Sequence, residues 1–346
     1  MKFLHDFSLD ELKAEFKEKG IPSFRAKQVY EWTTAYAPYE NMTNLPLAMR
    51  EQLKEEYSST PIEILECLVS VDGTRKYLYK LYDGNVIEGA LMKQSYGNTI
   101  CVSTQVGCRM GCGFCASGIG GLVRNLSAGE ILGQVLAVNK ELGNGKERKI
   151  TNIVLMGSGE PLDNYDEVTK FLRLVSSPDG INISERNISL STCGLCDKIY
   201  RLADEGFSVN LSISLHATTD DYRKTVMPIA NKYSIADIIK AVKYYFEKTG
   251  RRIIFEYTML KEINMNFFDC KRLKEITAGY PSHVNLIPLN YVKEKGVKGC
   301  TKQEAERFCE RLNSMGVSAT IRKSKGSDIG GACGQLRRKY ISENNE

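Results

Sequence analysis

From about residue 98 the chain alternates short β-branched runs with amphipathic stretches, and this alternation restricts the fold more than any other feature of the sequence. The runs read TICVS (99–103), TNIVLM (151–156), NISLS (187–191), SVNLSIS (208–214), RIIFEYTM (252–259) and HVNLIPL (283–289), with VSATI (317–321) as a candidate seventh. Their length and their Val and Ile content predict strands. Between them, SAGEILGQVLAVNKEL opens on Ser127, and SIADIIKAVKYYFEKTG opens on Ser234 and closes on Gly250. A hydroxyl that can accept from an exposed helix N–H at one end and a glycine at the other predict helices. Parallel neighbours in a sheet need crossovers of this length, so the six strand–helix units predict an α/β fold whose parallel sheet is open or curled into a partial barrel.

The first 60 residues lack that rhythm. Ser8 with Glu11 makes a capping box, Gly20 and Pro22 end the helix it opens, and FRAKQVYEWTTAY and LPLAMREQLKEEY follow as further helices. Residues 61–96 then alternate with period two around Asp72-Gly73 and Asp83-Gly84, dipeptides suited to tight hairpin turns. The expected division is a helical accessory domain over 1–60, short antiparallel strands and a linker to the core over 61–96, and the α/β domain over 97–346. No apolar run approaches the roughly 18 residues that span a bilayer. The start, MKFLHDFSLDEL, has acids where a signal peptide needs apolar residues. A cytoplasmic protein with no membrane partner is expected.

Eleven cysteines are an odd number for a disulfide framework in such a chain, which leaves reduced thiols, metal or catalysis. Cys108, Cys112 and Cys115 stand in CRMGCGFC, a glycine-rich segment after the first strand of the βα series. Thiolates this close on a flexible loop can each take one iron of a 4Fe–4S cluster, leaving the fourth iron open to a small molecule. The rival is a four-thiolate zinc site pairing Cys112 and Cys115 with Cys193 and Cys196. It needs 77 residues between the pairs and leaves Cys108 unused. On their own, Cys193 and Cys196 read more readily as small core residues than as a redox pair.

Longer strings carry a resemblance. CxxxCxxC with Phe114 before the last cysteine resembles the radical S-adenosylmethionine (SAM) superfamily. FRAKQVYEW (24–32), NTICVSTQVGC (98–108), GSGEPLDN (157–164), ISLSTCG (188–194), LSISLHA (211–217), HVNLIPLN (283–290) and DIGGACGQLR (328–337) resemble its RlmN/Cfr family of RNA adenine methyltransferases, nearly end to end. The resemblance implies a partial (β/α)6 barrel with a helix-hairpin-helix-like N-terminal domain. It implies a 4Fe–4S cluster on Cys108, Cys112 and Cys115, and SAM held by Gly159, Glu160, Ser191, Ser214, Leu215, His216 and Asn290. It also implies that Cys333 takes a methyl group from one SAM and that a radical from a second SAM activates this methyl for addition to the adenine ring. Glu88 would then accept the ring proton, and Cys101 would release the product by a transient disulfide with Cys333. Ser158 stands where the family usually has Met, and Gly89-Ala90 where bulkier residues are common.

An adenine carbon between two ring nitrogens has no acidic proton and no nucleophilic lone pair, so displacement on SAM cannot methylate it. A radical can. The implied activity is methylation of carbon 2 of adenine, at adenosine 2503 of 23S rRNA and adenosine 37 of some tRNAs. The rival within the family is Cfr-type methylation of carbon 8 of the same rRNA adenine, but Val106 stands where Cfr-type proteins tend to have Cys. The implied partners are 23S rRNA, tRNA and an electron donor such as flavodoxin or ferredoxin, serving a monomer. Charge offers its own support for RNA. Six basic side chains stand against Asp328 within 322–339, flanking Cys333, in a chain whose net charge is +5, and a second basic stretch covers 293–302. The first 60 residues are slightly acidic, so charge alone would not hold phosphate there.

Overall fold

The computed structural model describes residues 2–261, 263–288, 299–329, 336–337 and 340. Its N-terminal helices are α1 (Leu9–Glu18), α2 (Ser23–Thr34) and α3 (Leu47–Glu56). The predicted capping box is present: the Ser8 hydroxyl accepts from the Glu11 N–H at 3.2 Å, and the Glu11 carboxylate accepts from the Ser8 N–H at 2.7 Å. Leu4, Leu12, Phe16 and Val29 close an apolar cluster of their own, and β1 (Lys2–Phe3) pairs with β2 (Tyr57–Ser58) across it. Asp6 joins this unit to the rest. Its carboxylate accepts at 2.6 Å from the N–H of Gly129 in the first turn of α4 (Ala128–Glu141), where helix N–H groups have no intrahelical partner.

Residues 62–101 form an antiparallel meander of β3 (Ile62–Val69), β4 (Arg75–Leu81), β5 (Val86–Gln94) and β6 (Gly97–Cys101), with Gly73 and Gly84 at positive φ in the turns. A short hairpin of β7 (Gln105–Gly107) and β8 (Leu122–Asn125) then brackets the cysteine motif. The parallel series follows in chain order: β9 (Ile150–Leu155), β10 (Ile188–Thr192), β11 (Asn210–Ser214), β12 (Ile253–Met259), β13 (Ser282–Pro288) and β14 (Ala319–Ile321). All belong to one ten-stranded sheet in the order β14-β13-β12-β11-β10-β9-β6-β5-β4-β3. The strands of 61–96 therefore extend the parallel sheet, because β6 pairs antiparallel with β5 on one side and parallel with β9 on the other. Every strand read from the sequence is present with ends shifted by a few residues, the seventh included.

The crossovers are α4, α5 (Tyr165–Ser176), α6 (Cys196–Asp204), α7 (Asp220–Val226) with α8 (Ile235–Thr249), α9 (Phe267–Ile276) and α10 (Lys302–Ser314). Ser127 and Ser234 form capping boxes, and Gly250 closes α8 at φ 66°. Among the described residues no helix is long and apolar enough to cross a membrane. Tyr77, Tyr79, Ile87, Leu91 and Ile100 belong to the main core. Register and the two-residue pleat put Lys76, Leu78, Val86, Glu88, Ala90 and Cys101 on the opposite face. Gly89 has a packing cause: a Cβ there would lie 2.9 Å from both the buried Tyr79 ring and the Cys101 carbonyl oxygen.

Candidate active site

One cavity of about 310 Å³ is lined by the cysteine motif and by residues at the C-terminal ends of five consecutive strands, β9 to β13. Neighbouring strands lie about 4.8 Å apart, so in a flat sheet these ends would span about 19 Å. Five strand ends meeting one cavity is the arrangement that a curled parallel sheet gives. The ends of parallel strands leave backbone groups free for a ligand, which is where such sites form.

The cysteine loop owes its shape to glycine. Gly107 sits at φ 80°, and a Cβ there would be 2.0 Å from the Gly121 carbonyl oxygen, which accepts the Cys108 N–H at 3.0 Å. Gly113 donates to the Val226 carbonyl at 2.8 Å, fastening the loop to α7. Burial pushes the Cys108 thiol up to about 11 and, with repulsion from Cys115 and Cys108, the Cys112 thiol up to about 12. Both stay protonated at neutral pH unless iron displaces the proton. Although the three thiols line one cavity, no three Cys, His, Asp or Glu side chains among the described residues close on a single ion. Zinc would need sulfurs about 3.8 Å apart around one centre. A cluster takes one thiolate per iron, so three thiols around one cavity fit a cluster whose fourth iron is left open. Cys193 and Cys196 are both buried in the main core, Cys193 also lining the cavity, and no disulfide joins any two of the ten described cysteines.

The SAM residues read from the sequence converge with two exceptions. Gly159 has φ 107°, and a Cβ would press within 2.7 Å of the Gln105 side chain. Gln105 accepts the Glu160 N–H at 2.9 Å. The buried Glu160 carboxylate accepts from the Cys193 N–H at 2.7 Å and the Leu162 N–H at 3.0 Å, tying the end of β9 to that of β10. Burial raises its pKa and these N–H groups oppose the rise. Ser158 is accommodated by polar contacts: its N–H donates to Ser103 at 2.9 Å and its hydroxyl meets Ser117 at 3.5 Å. Ser191, Ser214 and His216 also line the cavity. His216 has φ 55° and accepts the Thr258 N–H at Nδ1, 3.1 Å away, which leaves its proton on Nε2. Burial lowers its pKa to about 3, so it is a neutral imidazole, edge-on to Phe114 with ring centres 4.7 Å apart. Leu215 is the first exception: its side chain is in the core and does not line the cavity. Asn290 lies outside the described residues.

If Glu160 holds the amino group of SAM, as the resemblance implies, Glu160→Gln is expected to weaken SAM binding at least tenfold, about 1.4 kcal/mol, because a negative charge is lost and an NH2 donor is turned on a backbone donor. Calorimetric titration of SAM into variant and parent checks it, and equal affinities would assign Glu160 to the fold alone.

Sequence reasoning missed Arg223. Fully buried on α7, it donates to the carbonyls of Cys193 at 2.7 Å and of Ser214 and Leu215 at 3.3 Å, stapling the ends of β10 and β11. Glu256 was missed too; it lines the cavity, accepts from Asn285 at 3.0 Å and has Arg322 4.0 Å away. The basic tail is therefore only partly a solvated face. Arg322 reaches into the cavity and Lys325 lies 4.0 Å from Asp72, while Lys323 is exposed. Arg338 and most of the basic stretch 293–302 lie outside the described residues.

A second group of site residues adjoins the cavity through Ser103, whose hydroxyl donates to the Glu88 carbonyl at 2.7 Å and accepts from Ser158. Glu88 and Cys101 share one sheet face, since Ala90, two residues after Glu88, pairs with Cys101. The Glu88 carboxylate is buried, 3.6 Å from Lys76, and accepts the backbone N–H of Arg337 at 3.1 Å. Leu336 packs on Leu78 and Val86 beside it. Cys333 itself lies outside the described residues.

Residues 102–269 match the Radical SAM superfamily. With the three-cysteine loop at the open end of a curled α/β sheet, the chain is a radical SAM enzyme, a class that takes a 4Fe–4S cluster and SAM. Residues 3–58 match the ribosomal RNA large subunit methyltransferase N-terminal domain. Over 344 residues, 99% of this chain and 98% of the relative, it is 53% identical to the "Probable dual-specificity RNA methyltransferase RlmN" of Clostridium perfringens (strain 13), and it is 49% identical over 343 residues, 99% and 98%, to that of Clostridium botulinum (strain Eklund 17B). The solved structure of a radical SAM methyltransferase from Sphaerobacter thermophilus superposes with a TM-score of 0.92 at 39% identity, covering 97% of this chain and 99% of that one. The chain belongs to the RlmN family of radical SAM RNA methyltransferases.

Proposed function

We propose that this enzyme methylates carbon 2 of adenine, at adenosine 2503 of 23S rRNA and adenosine 37 of some tRNAs, through a methyl group carried on Cys333. The observation that carries the reading is that the chain four residues beyond Cys333 is fastened to Glu88, on the sheet face that also holds Cys101. Four residues span at most about 14 Å. When bound, the cluster and SAM supply an adenosyl radical that removes hydrogen from the S-methyl group. Gly159, Glu160, Ser191, Ser214, His216, Asn290 and the Leu215 backbone hold SAM against the cysteine loop. After the carbon radical joins the ring, restoring the aromatic system requires the adduct to return one electron to the cluster and to give up the carbon 2 proton, which Glu88 accepts. The Cys101 thiolate then attacks the Cys333 sulfur. A sulfur–sulfur bond forms, the sulfur–carbon bond breaks, and its electron pair stays on the carbon, which takes a proton and becomes methyl. The carbon gains the two electrons that the sulfurs lose.

Residues 1–60 serve as the accessory domain that contacts RNA, 61–96 link it to the core, and 97–346 carry the chemistry. The enzyme acts as a cytoplasmic monomer, reduced by a flavodoxin- or ferredoxin-like donor. The test is enzyme bearing a trideuterated methyl on Cys333, given unlabelled SAM and RNA for one turnover. The 5′-deoxyadenosine should gain one deuterium, and the product should be 2-methyladenine keeping two. A methyl on carbon 8 would make this a Cfr-type enzyme, and an unlabelled methyl would withdraw Cys333 and Cys101.

A further inference from the structure

Lys76 has no part in the reading above, yet its side chain is only 2% exposed. It sits on β4 opposite Ala90, and Ala90 sits on β5 opposite Cys101 of β6. The three form one row across three strands and share a face, with Lys76 and Cys101 two strand spacings, about 10 Å, apart at their Cα atoms. Ala90 presents only a methyl group in that row, and a lysine stem has the length to cross it. Glu88 is the next residue of β5 on the same face, its carboxylate 3.6 Å from the Lys76 ammonium. A buried ammonium thus stands beside the proposed proton acceptor and in line with the proposed resolving thiol.

We propose that Lys76 is the positioning residue of the resolving step, its ammonium shared between the Glu88 carboxylate and the Cys101 thiolate. This rests on the roles given to Glu88 and Cys101 above. A nearby cation stabilises a thiolate, and an ammonium is a point charge with three donors on a flexible stem, able to serve two anions in turn. When Glu88 takes the ring proton its charge disappears, and Cys101 no longer competes with it for the ammonium. Proton removal and thiolate attack are thereby put in order. Among the described residues, the other groups that face this row include Arg337, whose backbone N–H donates to Glu88 and whose side chain donates to the Val86 carbonyl at 2.7 Å, and the exposed Lys80 further along β4. Tyr79 approaches Cys101 from the opposite face, and β9 places Val154 beside it.

The experiment follows decay of the covalent protein–RNA adduct in a single turnover of the full-length, cluster-loaded enzyme. Lys76→Met should form the adduct, with Cys333 methylated and iron content as in the parent, but at pH 7 should resolve it at least about tenfold more slowly. Its rate should then climb about tenfold per pH unit towards the ordinary thiol pKa of about 8.5. Lys76→Arg should recover most of the rate by restoring the charge. Parental decay kinetics in Lys76→Met, or a loss of rate that Lys76→Arg and rising pH both fail to restore, would overturn the proposal. Should Lys76→Met not fold, the parent decides: its resolution rate should be flat between pH 7 and 8.5, and a tenfold rise per unit there would mean that nothing holds the thiolate. Cys101→Ala, run in parallel, separates the two levels. If it accumulates adduct and Lys76→Met does not, only the role of Lys76 falls; if it accumulates none, the resolving role falls and this inference with it.

Discussion

Cys112→Ala protein purified without oxygen should be colourless and hold little iron or sulfide, against about four of each in the parent, and RNA methylation should drop to background. Cys112 is informative because burial and its two neighbours push its thiol up to about 12, further than that of Cys108. A loop that raises its thiols in this way gains nothing from their ionisation while empty. Bound iron supplies the positive charge that makes three adjacent thiolates tolerable. The sign of the pH effect follows. Thiolate is the ligand and the proton competes with iron, so reconstitution of the emptied loop should improve as pH rises from 7 to 9, and Cys108→Ala and Cys115→Ala should fail throughout. Iron and sulfide analysis with the visible spectrum reads both effects. Stoichiometric zinc without sulfide would refute the cluster.

The parallel half of the sheet was legible because its signals are local: a strand five to eight residues long, a capping serine, a closing glycine. Ser127 and Ser234 show this, each forming the reciprocal cap that its own neighbours predict. The cysteine loop was legible for the same reason. What escaped depends on partners far away in the chain. Nothing near Arg223 distinguishes it from a surface arginine of α7, and carbonyls eight to thirty residues away, from Cys193 to Tyr233, make its burial tolerable. Lys76 lies in RKYLYKL, where alternating charge suggests a solvated face; that face is covered beside it by Leu336, some 260 residues on. The continuity of the hairpins with the parallel sheet depends on the pairing of β6 with β9, whose register joins Asn98 to Ile150. Leu215 illustrates a finer limit. Within a run of residues that resembles a ligand-binding string, strand alternation turns Ser214 to the cavity and Leu215 to the core.

Cys101→Ala should trap the enzyme on its RNA, while Cys333→Ala should form no covalent complex. The asymmetry follows from the order of bonds. In the proposed reaction carbon reaches the ring only while attached to Cys333, so without that sulfur there is nothing to transfer. With Cys333 present and Cys101 absent, the carbon–carbon bond to the ring forms, and among the described residues no other thiol on the same sheet face is left to break the sulfur–carbon bond. Cys67 is on β3 and Cys108 in the cluster loop, while Cys193 is buried in the core, and none of them pairs across from Ala90 as Cys101 does. The alanine removes a single sulfur from a site already bordered by Ala90, so the fold should tolerate it within about 1–2 kcal/mol. Turnover should fall to no more than one adduct per enzyme, seen as a band of protein plus RNA that survives denaturation and is absent from Cys333→Ala and from the double variant. Glu88→Gln offers the complementary trap, holding the adduct one step earlier, with the ring proton still on carbon 2. Deuterium placed at that carbon should remain in the Glu88→Gln adduct and be lost from the Cys101→Ala adduct. Normal turnover by Cys101→Ala would return Cys101 to the sheet as a small buried residue and require another source for the resolving thiol.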